Sequence, residues 1–144
     1  IVCSLVGSEM CIRDRSEGPE HEVKMLNSGA DGIMVFEPAV IKISKGDTVN
    51  FKAVDMSHNS ASLEGMIPDG AESWNGALSQ DISITFTEEG VYVYQCTPHA
   101  MMAMVGVIQV GEAVNLDSVK SQASQTKSVF ISNTDRLDDY LSRL

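Results

Sequence analysis

From His21 onward, apolar and polar residues alternate with a period of two. The pattern is clearest over residues 48–54, where Val49, Phe51 and Ala53 fall on one side and Thr48, Asn50 and Lys52 on the other. Residues 82–87 repeat it, with Ile82, Ile84 and Phe86 against Ser83, Thr85 and Thr87, and shorter runs occupy 21–27, 40–44, 91–96 and 105–110. Alternation of this kind places every second side chain on one face of a half-buried strand. Turn signals separate the runs: Ser28-Gly29, Asp31-Gly32, Lys45-Gly46-Asp47, Pro68-Asp69-Gly70 and Glu89-Gly90. No helix-period segment lies between the strands, which disfavours a parallel α/β fold. The pattern predicts an all-β, antiparallel two-sheet sandwich.

Past Gly111 the period changes. Asn115 can cap a short helix that carries Leu116, Val119 and Ala123 on one face. Ser132 or Asn133 can cap a second, with Leu137, Tyr140, Leu141 and Leu144 spaced i, i+3, i+4, i+7. The polar residues 121–128 are expected to form the loop between them. The chain therefore divides into a sandwich over residues 21–111 and a two-helix appendage over 112–144, packed on it. Residues 1–20 fit neither part. Their apolar start is short, is broken by Ser4, Gly7 and Glu9, and has no basic residue before it, which makes a poor secretory signal. They resemble translated sequencing-adapter read-through and are expected to be a non-native or disordered leader. Cys3 and Cys11 in this segment lack a zinc-type spacing and a nearby His.

Composition narrows the function. A chain of 144 residues with 43% hydrophobic content makes one domain with an adequate core. The formal charge of −10 disfavours nucleic-acid binding, and most of it sits in residues 21–112, which hold twelve acidic and four basic side chains. No apolar run reaches membrane-spanning length.

The chemistry is concentrated in the loop between the last two expected strands. The segment Tyr94-Gln-Cys-Thr-Pro-His-Ala-Met-Met-Ala-Met104 contains Cys96, His99 and Met104 in a C-x2-H-x4-M spacing. A second imidazole, His58, follows the strand that ends near Val54, and in a sandwich the two regions can meet at one pole. Two neutral imidazoles, a thiolate in rough trigonal arrangement and a weak axial thioether suit copper in both its oxidation states. The absence of carboxylates argues against calcium, and four filled positions leave none open for a substrate. Taken singly, each residue has a plainer role: Cys96 as a small buried hydrophobe, His58 as a loop histidine, Met101, Met102 and Met104 as core filler. The same N and S donors also accept zinc. A nucleophilic enzyme using Cys96 with His58 or His99 as base would need a third orienting group, and none is evident.

Several segments extend beyond this loop: Met25-Leu26-Asn27, the run Met34-Val35-Phe36-Glu37-Pro38-Ala39, Gly46-Asp47-Thr48-Val49, Met66-Ile67-Pro68-Asp69-Gly70-Ala71-Glu72 and Cys96-Thr97-Pro98-His99. With them, residues 22–111 resemble the pseudoazurins, small blue-copper cupredoxins of bacterial respiration. The copper loop alone is shared with plastocyanins. The resemblance implies a Greek-key cupredoxin sandwich binding one type 1 copper ion through His58, Cys96, His99 and Met104. It further implies that Asn59 ties the two ligand loops together, with Thr97 beside the thiolate. Met34 and Pro98 would lie near the His99 ring, inside an apolar patch that also includes Met102 and serves partner docking. Tyr92 reads as a tyrosine corner. The implied function is that of a monomeric periplasmic electron carrier, not an enzyme, serving redox partners such as nitrite reductase and nitrous oxide reductase. A copper-binding or copper-delivery protein without electron transfer is the alternative. One departure stands out. The lysines that commonly ring the patch in this family are replaced by Ser28, Met56, Asn75 and Gln95.

Overall fold

The period-two segments become strands because each can bury one face against a partner sheet. The computed structural model describes residues 4–5, 8–9, 20–29 and 32–144. Strands β1 (Ser4–Leu5) and β2 (Ser8–Glu9) form a two-residue antiparallel pair. Of the rest of the expected leader, Glu20 opens the first long strand and pairs with Thr48, so the sandwich begins one residue earlier than expected, and the remainder, with Cys3 and Cys11, lies outside the described residues. Eight further strands follow: β3 (Glu20–Gly29), β4 (Gly32–Glu37), β5 (Val40–Ile43), β6 (Thr48–Lys52), β7 (Ala61–Ser62), β8 (Ile82–Thr85), β9 (Gly90–Gln95) and β10 (Val105–Val110). They make two four-stranded sheets, ordered β4-β3-β6-β8 and β5-β10-β9-β7.

The two-sheet sandwich is as the alternation predicts, but each sheet is mixed. β3 pairs β6 in parallel, and β5 pairs β10 in parallel. The cause is the step from β4 to β5, where the chain passes through Pro38 and Ala39 into the other sheet without reversing. Only two reversals then separate β3 from β6, so they run in the same direction.

Alternation divides the buried side chains between two layers. Val23, Met25, Val49, Phe51, Tyr92, Tyr94, Cys96, Met104, Ile108 and Val110 fill the space between the sheets. On the other face of β9 and β10, Val91, Val93, Val105 and Val107 meet the C-terminal segment. The β5-β10-β9-β7 sheet is thus covered on both faces, which explains the nearly unbroken apolar character of its central strands.

The covering layer consists of α1 (Leu116–Thr126) and α2 (Arg136–Ser142), with a short 3-10 turn at Lys127–Val129. Val119 and Ala123 from α1 and Leu137, Tyr140 and Leu141 from α2 are buried against the sheet. Full burial of a side chain such as Leu137 contributes about 1.5–3 kcal/mol. Helix α1 continues through residues 121–126, where the polar composition predicts a loop, because Ser121, Ser124 and Gln125 face solvent while Ala123 stays buried. Asn115 precedes α1 but does not cap it through its side chain. Its amide instead pairs with the backbone of Val91, accepting from the N–H at 2.6 Å and donating to the C=O at 3.0 Å. Asn115 therefore acts as a one-residue strand on the open edge of β9. The second helix starts at Arg136, later than Ser132 or Asn133 would set it.

At the pole away from the ligand loop, the Tyr92 hydroxyl donates to the Glu88 carbonyl at 2.7 Å, the corner geometry expected for it. Burial, reinforced by the Glu88 carboxylate, pushes this hydroxyl from 10 to about 12. The phenol of the unfolded chain ionises first, so this contribution to stability is intact below about pH 10 and is lost as pH rises through 12. Tyr92→Phe is expected to cost about 0.5–1.5 kcal/mol at neutral pH. Melting temperatures measured against pH should converge for the two proteins above about pH 10. Curves that stay parallel would count against this role.

Candidate metal centre

The site is assembled by two connections at one end of the sandwich. After β6 the chain turns through residues 53–57, with Ser57 at φ 68°, and delivers His58. This turn is held across to residue 79: the Ser57 N–H donates to Ser79 Oγ at 2.8 Å, and the Ser79 N–H donates to the His58 carbonyl at 2.8 Å. The second connection leaves β9 at Cys96, winds through a 3-10 turn over Thr97–Met102, and enters β10 after Met104. Pro98 starts that turn with a fixed φ and no N–H to satisfy. Ala103 ends it in the left-handed region at φ 58°. The loop is closed by the Cys96 N–H donating to the Met104 carbonyl at 2.9 Å and the His99 N–H donating to the Cys96 carbonyl at 3.1 Å.

Cys96, His58 and His99 converge as the spacing suggests. Cys96 Sγ lies 3.6 Å from His58 Nδ1 and 3.3 Å from His99 Nδ1. One ligand atom from each of the three falls within 4.8 Å of the others. Met104 is fully buried in the same inter-sheet layer as Cys96. His58 and Cys96 are likewise inaccessible, whereas His99 is half-buried.

The surroundings prepare these groups to be donors. His58 Nε2 is 2.7 Å from Asn27 Oδ1, so its ring proton is held there and the Nδ1 lone pair faces the sulfur. Burial, aided by the nearby His99, lowers the pKa of His58 against an opposing pull from Asp55, which keeps the ring neutral. Burial raises the Cys96 thiol, while the backbone amides of Asn59 and His99 act in the opposite direction. A thiol in this state is a poor nucleophile, and a metal cation is the natural replacement for its proton. No carboxylate belongs to the cluster. The set of two imidazoles, one thiol and an adjacent thioether fits a soft or borderline metal, and copper above all when the metal must change oxidation state.

Asn59 joins the two connections. Its Oδ1 accepts from the Thr97 N–H at 2.7 Å, and its Nδ2 donates to the Gly76 carbonyl at 3.0 Å and to Thr97 Oγ1 at 3.3 Å. Thr97 and Pro98 are exposed, and Met102 is half-buried. Met34 lies in β4, half-buried, with φ 52°. The β3–β4 ladder is interrupted at this residue, opposite Asn27. Two participants were not singled out from the sequence. Asn27 stands within a quoted segment, but its bond to His58 depends on strand register. Arg136 lies 32 residues beyond Met104 on the chain and gives no local signal.

Residues 23–111 match the family of copper binding proteins of the plastocyanin/azurin type. A pseudoazurin of Paracoccus pantotrophus is 44% identical over 109 residues, covering 75% of this chain and 75% of that protein. The chain belongs to the pseudoazurin family. The crystal structure of the pseudoazurin from Methylobacterium extorquens AM1 superposes with a TM-score of 0.76 at 38% identity, covering 86% of this chain and 98% of the other. The pseudoazurin of Hyphomicrobium denitrificans gives 0.75 at 36% identity, covering 87% and 98%. As a pseudoazurin-type protein the chain is a copper-binding cupredoxin of an electron-carrier family, and not an enzyme. Among the described residues no helix is long and apolar enough to cross a membrane.

Proposed function

We propose that the protein carries single electrons between larger redox proteins of the periplasm, with one copper held by His58, Cys96, His99 and Met104. The observation that carries this reading is the convergence of both Nδ1 atoms on Cys96 Sγ, within 3.3 and 3.6 Å, with His99 the one donor of the four that is not fully buried. Copper held there supplies a one-electron couple between its two oxidation states. The chain supplies rigidity. Asn27 fixes the His58 ring, Asn59 locks the two connections to each other, and β9 and β10 anchor Cys96 and Met104. Small rearrangement on gain or loss of an electron favours fast transfer.

The half-buried His99 edge is the port through which the electron enters and leaves, and Met34, Pro98 and Met102 surround it as the docking surface. Exposed Met56 and Met101 enlarge the apolar character of this pole. The partners implied by the family resemblance are denitrification enzymes such as nitrite reductase and nitrous oxide reductase, met transiently by a monomer. Ser28, Met56, Asn75 and Gln95 carry no charge, so attraction to an acidic partner is absent at the positions where the family commonly places lysine. The rate of electron transfer to an acidic partner should stay level or rise as salt is added. Stopped-flow rates that fall steeply with salt would contradict this.

Carrier and delivery roles separate in one experiment. The copper-loaded protein is cycled between oxidant and reductant in the presence of a Cu(I) chelator. A carrier retains its metal through repeated cycles; transfer of copper to the chelator within the first reduction would indicate delivery.

A further inference from the structure

Arg136 opens α2 and is only 8% exposed, an unusual position for a guanidinium outside a recognised ion-binding site. Its Nη1 donates to the Met34 carbonyl at 2.9 Å and to the Ala103 carbonyl at 3.2 Å, and its Nη2 donates to the Ile33 carbonyl at 3.1 Å. One planar fork thus joins three separate parts of the fold: the C-terminal helix, strand β4 and the ligand loop. A charge is costly to bury, and it is tolerated here because several acceptors converge on it.

Two of the three acceptors have a common character. Met34 and Ala103 both adopt left-handed backbone conformations, at φ 52° and φ 58°. Ala103 is one step from a ligand and Met34 is two. Ala103 directly precedes Met104, and its own N–H closes the 3-10 turn on Ala100. Met34 stands across the β3–β4 ladder from Asn27, whose side chain holds the His58 ring. The same tail grips the ligand loop at two further points: the Ile131 N–H donates to the Met101 carbonyl at 2.7 Å, and Asn133 Nδ2 donates to the Met102 carbonyl at 3.2 Å. Three successive loop carbonyls, those of residues 101, 102 and 103, therefore accept hydrogen bonds from residues 131–136.

We infer that Arg136 is a positioning residue for the metal centre, and that the segment from Ile131 to Arg136 clamps the ligand loop so that His99 and Met104 are held in place before metal binds. The C-terminal segment then does more than cover the sheet, since it sets the stiffness of the loop that bears three of the four donors. This rests on the reading of His58, Cys96, His99 and Met104 as the metal's ligands. Arginine is required because a lysine ammonium cannot bridge three carbonyls with a fixed fork.

The test uses the full chain as wild type, Arg136→Ala and Arg136→Lys. In the metal-free proteins, amide hydrogen exchange at Ala103 and Met104 should speed up about tenfold in the alanine variant, while Val49 and Phe51 in β6 keep wild-type rates. After addition of Cu(II), the same variant should show altered visible and electron paramagnetic resonance spectra and a shifted reduction potential. The lysine variant, which keeps the charge but not the fork, should fall between the two, and it carries the test if the alanine variant does not fold. Exchange that rises uniformly over the chain, or loop exchange and spectra identical to wild type, would overturn the inference. A wild-type protein that takes up no coloured copper would instead reject the ligand assignment, and the metal-free exchange data would still decide the clamp.

Discussion

Cys96→Ser folds to the same sandwich and stays colourless with Cu(II), while the wild type turns intensely coloured. A serine hydroxyl does not ionise near neutral pH and so cannot supply the anionic sulfur whose charge transfer to copper gives the colour. The fold survives for a local reason. The side chain at residue 96 is buried between the two imidazole Nδ1 atoms and the backbone amides of Asn59 and His99, so a hydroxyl placed there finds polar partners. The net change in stability should stay within about 1.5 kcal/mol. Visible absorption with added Cu(II), together with a thermal melt of the metal-free protein, reads both halves. Retained colour would remove Cys96 from the ligand set, and a collapsed fold would show that the site and the sandwich are not separable.

Gly106→Ala is expected to cause the largest loss of stability from the smallest change. Gly106 lies directly opposite Tyr94 in the β9–β10 ladder, and the Tyr94 ring folds over it. A Cβ at residue 106 would fall 2.3 Å from both Cζ and the hydroxyl oxygen of Tyr94. The ring cannot yield, because it is fully buried and packs edge-on against Phe36 at 4.7 Å and Phe51 at 5.0 Å. Overpacking of this kind costs about 1–3 kcal/mol. At about 2–4 °C per kcal/mol for a chain of this size, the melting temperature should drop by roughly 2–12 °C. The effect should also reach the metal centre, since Tyr94 is two residues before Cys96 on the same face of β9. Loading with Cu(II) should therefore be weaker than in wild type. An unchanged melting temperature would mean that the ring has room to move, contrary to the packing described.

The strands were legible in the sequence wherever one face is buried and the other wet. Val49 and Phe51 against Thr48 and Asn50 is the plainest case, and β6 is there. Strand β4 was not, because Val35 and Phe36 are buried as neighbours and Met34 breaks the strand conformation with φ 52°. Strand β7 has only two residues, too few for any period to register. The parallel pairings depend on where the chain changes sheet, which is a property of Pro38 and Ala39 in three dimensions and leaves no periodicity. At the site, the spacing of Cys96, His99 and Met104 is local and was readable at once, and His58 followed from its place after a strand. The groups that hold these donors are not local. Asn27 acts on His58 across 31 positions, and Arg136 acts on Ala103 across 33 and on Met34 across 102. Such contacts arise from strand register and helix docking, so a single sequence carries no pattern for them. Asn115 adds a different lesson: a residue with the right chemistry for a helix cap was used to pair a strand edge.

One copper ion, held by His58, Cys96, His99 and Met104, is what the proposed single-electron transfer requires. Titration of the metal-free wild-type protein with Cu(II), followed by visible absorption and electron paramagnetic resonance, tests it most directly. Saturation at one equivalent, intense visible absorption and narrow copper hyperfine splitting are expected. A colourless protein whose Cys96 thiol stays open to alkylation after copper is added would contradict it.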